Sequence, residues 1–289
     1  MDSERVYVEY DGQGTSIKNN QLDAKVLSSI LKGFADLIYE ATRTVNGEDA
    51  PVKVNAEAGF VKGSFGVEFI ILQDLVLNVE VLKLLGLAGA PIAGGVASTV
   101  ISVIQALRGR YADEIHVDES NGTIDVITPE GPVPASAEVI KLVNNPSVRK
   151  HLDKVLYEPL TYEGIDWVEV RPTSHADLPT VLKATKESSV YFKNPGAKKP
   201  SQSTEISTTA EVEFLTAKKE DGKQGWRAIH LGKEIRVCIL DESFLAAIRR
   251  VDGPSPFGQK FKVSLRVQTK VVGEIEKTRY FVDKVISDF

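Results

Sequence analysis

Arg5-Val-Tyr-Val-Glu-Tyr10-Asp-Gly-Gln-Gly14 is followed, from Gln21 to Val45, by Leu22, Val26, Ile30, Phe34, Ile38, Ala41 and Val45 at steps of three or four. In the first stretch Val6, Val8 and Tyr10 share one face against Tyr7 and Glu9, the alternation of a half-buried strand, and Asp11-Gly12-Gln13-Gly14 supplies its turn. The second stretch carries one apolar stripe at helical period. Asn20 is the predicted N-cap and Asn46-Gly47 the predicted stop. Two strands are predicted next, Val52–Phe60 and Ser64–Leu72, joined through Lys62-Gly63, with Phe65, Val67, Phe69 and Ile71 on one face. The reading is a β-α-β-β unit whose helix packs on an antiparallel sheet, within an α+β protein.

From Leu84 to Leu107 the chain carries no charged residue. Pro91 and the neighbouring glycines predict a helix, a turn and a second helix. Ala90, Gly94, Ser98 and Ser102 recur every four residues, a small-residue stripe that permits close helix approach. The run of 24 residues exceeds the roughly 20 needed to cross a bilayer. Lys83, Arg108 and Arg110 bracket it as interface anchors do. Against a span, Pro91 leaves short arms and the mean hydropathy of the chain is -0.10. Three readings stay open at this point: a buried core hairpin, an oligomer contact and a membrane contact.

A small α+β module is expected over 113–172. Glu114–Val117 and Thr123–Thr128 flank Asn121-Gly122 as a hairpin. Ser136 is expected to cap a helix through Val143, and Asn144-Asn145-Pro146 to interrupt it. Ser147 is expected to cap a further helix to about Leu156, and Asp166–Arg171 to close the module as a strand. Residues 173–204 read as a connector, with Gly196 to Ser203 polar and aperiodic. The last module, 205–289, is strand-rich: Ala210–Thr216, Trp226–Ile229, Ile235–Leu240, Lys260–Val271 and Thr278–Ile286, with a short helix at Ser243–Val251. It predicts a small, partly closed barrel.

Chemistry is sparse. A net charge of -5 excludes a chain that is basic throughout. The single cysteine, Cys238, excludes an intramolecular disulfide and a cysteine-based zinc site, and its apolar neighbours suggest a core thiol. The first ten residues hold no apolar signal region, so a cytoplasmic location is expected. No Walker A, strand–GxGxxG–helix, HExxH or GxSxG pattern occurs, and Gly12-Gln-Gly14 reads as a turn. His116, His151, His175 and His230 fall on separate elements without metal-ligand spacing. His116 and Asp118 share a strand face, as a polar surface pair or an oriented base. Asp241-Glu242 suits a helix N-terminus, with Asp241 or Ser243 as its cap, better than a cation. No cofactor and no metal are expected. Lys260, Lys262, Arg266 and Lys270 line one face of a strand, in a segment (200–289) with 15 Lys and Arg against 13 Asp and Glu. Such a strand can track a phosphate backbone, although no aromatic alternates with the cations on it.

Gly63-Ser-Phe-Gly-Val-Glu-Phe, Ala106-Leu-Arg-Gly-Arg110, Val148-Arg-Lys-His-Leu, Pro159-Leu, Gly164-Ile165 and Ile239-Leu-Asp-Glu-Ser-Phe-Leu245 together resemble a group of bacterial and prophage-encoded proteins labelled as domains of unknown function. The resemblance implies a bacterial or phage origin, a similar module order and, by association, a part in phage–host conflict. It brings no catalytic residues. The sequence therefore predicts a non-catalytic interaction or assembly protein that self-associates or binds another protein. Nucleic-acid binding through the basic strand and membrane activity through residues 84–107 are the alternatives.

Overall fold

The computed structural model describes residues 2–59, 64–73, 80–88, 98–119, 123–173, 180–196, 202–217, 222–249, 255–272 and 275–286. Its contacts divide the chain into two units, each made of two pieces: Met1–Ala112 with Thr128–Lys198, and Asp113–Ile127 with Lys199–Phe289. Strand β1 (Asp2–Asp11) opens the first unit, followed by a one-turn helix α1 (Thr15–Lys18) and the long helix α2 (Ala24–Asn46). Strands β2 (Val52–Gly59) and β3 (Phe65–Gln73) come next, then short helices α3 (Val81–Leu85) and α4 (Val100–Ala106). The chain then enters the second unit for a hairpin, β4 (Glu114–Asp118) and β5 (Thr123–Thr128). It returns through β6 (Gly131–Pro134), α5 (Ala137–Val143), α6 (Pro146–Leu152), β7 (Trp167–Arg171), β8 (Leu182–Thr185) and α7 (Lys186–Ser189).

The sheet of the first unit has the order β2-β3-β1-β7-β8, with every pairing antiparallel. Helix α2 buries Val26, Ile30, Phe34, Leu37, Ile38 and Ala41, and Phe34 stacks on Phe69 of β3 at 3.8 Å between ring centroids. The predicted β-α-β-β unit is present, with two differences. The N-cap of α2 is Asp23, whose carboxylate accepts from Lys25 N–H at 2.8 Å. Asn20 instead adopts a left-handed φ of 57° and donates to the Ser64 carbonyl. Strand β1 is also buried on both faces, with Tyr7 inaccessible and Glu9 7% exposed, because side chains of the flanking segments, Ser64 and Arg171, close over Glu9. Tyr7 lies across Gly66 of β3, where an added Cβ would fall 1.8 Å from the phenolic oxygen; only glycine leaves room for that ring.

The predicted break at Asn144-Asn145-Pro146 separates α5 from α6. Ser136 caps α5 through Val139 N–H at 3.2 Å. Helix α6 is capped by Asn145, not Ser147, since the Asn145 side chain accepts from Ser147 and Val148 N–H. It continues as a π-helical turn, Asp153–Tyr157, whose Val155 carbonyl receives the Tyr10 hydroxyl at 3.0 Å. Residues 180–196 differ from a connector: β8 extends the sheet beside β7, and Phe192 in a following 3-10 turn is fully buried. Leu182, Ala184 and Phe192 supply its apolar side amid Lys, Ser and Thr, which hid the strand from a composition reading.

The second unit adds β9 (Gln202–Thr216), β10 (Trp226–His230), β11 (Lys233–Ile239), helix α8 (Glu242–Ile248), β12 (Lys260–Val272) and β13 (Ile275–Val285). Strands run β10-β11-β13-β12-β9, and β10 pairs back on β9, so five strands close into a barrel. Closure follows from alternation, since Val212, Phe214, Trp226, Ala228, Val263, Leu265 and Val282 all face inward. Phe214 meets Trp226, Phe244 and Phe261 at 5.3, 5.6 and 5.4 Å. The predicted barrel is thus closed, and the predicted hairpin β4–β5 joins it through a parallel pairing of β4 with β9. The 113–172 stretch, read as one module, is shared between the two units for this reason.

Candidate binding groove on the C-terminal barrel

The sequence pointed to the outer face of β12, and the structure brings Lys260, Lys262, Arg266 and Lys270 together there. Acids already occupy much of that face. Lys260 is 2.9 Å from Glu211. Arg266 donates from Nε and Nη2 to Asp283 and from Nη1 to Glu205, and lies 4.8 Å from the Phe281 ring centroid. The Asp283 hydrogen bond is the largest influence raising the Arg266 pKa. Lys262 faces Glu211 across the ladder, and Lys270 faces Lys277. Phe281 was missed because it comes from the neighbouring strand.

The apolar run separates differently from its pattern. Ala90 and Gly94 lie outside the described residues. Helix α4 starts at Val100 with Thr99 as N-cap, so Ser98 precedes the helix and Ser102 belongs to the capping box. The four-residue spacing therefore places Ser98 and Ser102 on no common helix face. Val100, Ile101, Val103 and Ile104 are buried within the chain itself. Among the described residues no helix is long and apolar enough to cross a membrane.

Of the histidines, His175 lies outside the described residues. His151 is half-buried, with Nδ1 shielded from solvent and 3.8 Å from Asp36. His116 Nε2 sits 3.0 Å from Ser207 Oγ on β9, a pairing across 91 positions that no local pattern announces. Cys238 is half-buried on the side of β11 opposite the inward Val237 and Ile239, so it lies outside the barrel core where its apolar neighbours had suggested a core thiol. Asp241 is the N-cap of α8, accepting from Ser243 and Phe244 N–H, and its second oxygen receives Val285 N–H at 2.9 Å. Among the described residues no group of three or more His, Cys, Asp and Glu is placed to hold a metal.

A concave feature of this unit was not predicted. A groove of about 500 Å³ runs along β9 from Thr208 to Glu213, with Glu119 at one end and the tip of the β10–β11 hairpin at the other. That tip is the two-residue turn Leu231-Gly232, with φ of 49° and 75°. Asn or Gly is the usual occupant of the first position, because a side chain crowds the backbone there. Leu231 nevertheless occupies it and is 87% exposed. The His230 imidazole is 3.3 Å from the Glu211 carbonyl. Glu119 and Glu213 have no ion-pair partner among the described residues, whereas Glu211 is matched by Lys260. The sequence signal available was Leu231 before Gly232, an apolar residue where turn chemistry calls for a polar one. Comparison with protein-family models, curated proteins and solved structures finds no match to this chain.

Proposed function

We propose that this protein is a non-catalytic interaction protein that docks a segment of another polypeptide in the groove along β9. One observation carries the reading: the groove joins an exposed apolar side chain held at a left-handed turn to an acid-lined stretch of strand. Exposed strain of this kind persists where surrounding structure enforces it, and it clusters at ligand clamps. The second polypeptide is either another copy of the chain or a different protein. The bacterial or phage setting, and a part in phage–host conflict, rest on the sequence resemblance alone.

Display of random dodecapeptides on the purified protein tests the reading. Wild type is expected to enrich a family of sequences, and Leu231→Asp combined with Thr209→Arg is expected to abolish that enrichment while leaving the fold intact by circular dichroism. Equal enrichment on both proteins, or none on either, overturns it.

A further inference from the structure

We infer that the groove takes its occupant by strand addition, and that the occupant is an extended segment bearing a lysine or arginine. This rests on the docking reading above and adds the backbone geometry and the charge of the partner. Strand β12 covers one edge of β9 from Gln202 to Glu213. The other edge is held by β4 as far as Ser207, whose carbonyl receives Glu119 N–H at 3.0 Å, and again from Glu213, which faces Ile229 of β10. Among the described residues no strand pairs with this edge over residues 208–212. Five residues of strand span about 17 Å, room for a short partner strand.

The direction of the backbone groups follows from the ladder. Successive residues of a strand present their N–H and C=O to opposite edges. Ser203 N–H bonds Asp113 on the β4 side, and Ser207 C=O does the same with Glu119. Odd-numbered residues therefore face that side, and Thr209 and Glu211 turn their backbone groups into the notch, where the His230 imidazole lies 3.3 Å from the Glu211 carbonyl and would yield it to an incoming strand. Such an edge templates an extended chain, with main-chain hydrogen bonds giving affinity and flanking side chains giving selectivity. The groove is lined by Glu119, Glu211 and Glu213 against Lys260, which pairs with Glu211 and faces Glu213 across the ladder, so acids are in excess along it. An incoming cation restores balance where an incoming anion adds repulsion.

The test uses the full chain and three capped heptapeptides of alternating Thr and Val: one with a central Lys, one with a central Glu, and the Lys peptide N-methylated on alternate residues along one edge. Affinity is measured by calorimetry, and the site by amide chemical shifts. The Lys peptide is expected to bind at least ten-fold tighter than the Glu peptide and to move the Thr209 and Glu211 amides. N-methylation on the pairing edge is expected to remove binding. Glu119→Lys with Glu213→Lys is expected to reverse the preference, with an unchanged spectrum elsewhere confirming the fold. Equal affinity for the Lys and Glu peptides overturns the charge inference, and full binding of the N-methylated peptide overturns strand addition. Failure of all three to move the groove amides overturns the whole inference. In each case the display result stands independently, so a failure here is distinguishable from failure of the docking reading.

Discussion

Tyr7 carries a hydroxyl with no hydrogen-bond partner among the described residues, in a fully buried position, and burial pushes its pKa up to about 12. An unsatisfied buried hydroxyl costs about 1–3 kcal/mol. Tyr7→Phe keeps the ring over Gly66 and removes that cost, so we expect stability to rise by roughly 1 kcal/mol in urea denaturation. A loss of similar size in the same experiment rejects this account. His151 gives a second prediction. Burial is the largest influence lowering its pKa below the ordinary 6.5, with Lys154 and Lys150 acting the same way and Asp36 and Glu40 opposing. The unfolded chain therefore takes up this proton before the folded one does. Stability contributed by neutral His151 is complete above pH 6.5 and is lost as pH falls through the lowered folded value. Thermal melts between pH 7.5 and 5.5 should show this decline in wild type and a flatter profile in His151→Gln. Glu169 and Asp241, whose carboxyls are held below their ordinary values, act only at more acidic pH.

Helix α8 shows how one cap couples two elements. Asp241 receives two N–H groups at the helix start and Val285 N–H at the end of β13, so its loss frays both. We expect Asp241→Ala to destabilise the barrel by about 2 kcal/mol, near the upper range for caps. Asp241→Asn should retain most of the helix cap, and the two are compared by chemical denaturation. The helix start was legible from Asp241-Glu242-Ser243, with the cap left between Asp241 and Ser243, as were α2 from its stripe and the barrel strands from their alternation. Those features depend on neighbours within a few positions. The caps of α2 and α6 were misplaced because several polar residues competed, and the chosen one depended on where the backbone turned. Strand β8 escaped because an edge strand needs few apolar residues. The groove and the His116–Ser207 pair were invisible for another reason: both arise where β4, β9 and β10 meet, and sequence periodicity carries no record of which strands pair.

The barrel unit is assembled from two distant pieces of chain. Residues 199–289 expressed alone would contain the five barrel strands but leave β9 bare where Ser203–Ser207 pairs with β4. An uncovered strand edge recruits another, so we expect this fragment to self-associate in sedimentation velocity. Joining residues 113–127 to it through a short flexible linker should restore a monomer, and a monomeric fragment without them would refute the role assigned to β4. The same discontinuity sets a schedule for synthesis. The β4–β5 hairpin leaves the ribosome before β9 exists, and an isolated two-stranded hairpin is marginal in water. About 75 residues separate Ile127 from Gln202, a wait of roughly 4–15 s at ordinary translation rates of about 5–20 residues per second. Strand β13, which pairs with both β11 and β12, is the last of the barrel strands to be made. Barrel closure thus waits for β13, and a chain ended before Ile275 would hold every other barrel strand and no closed barrel.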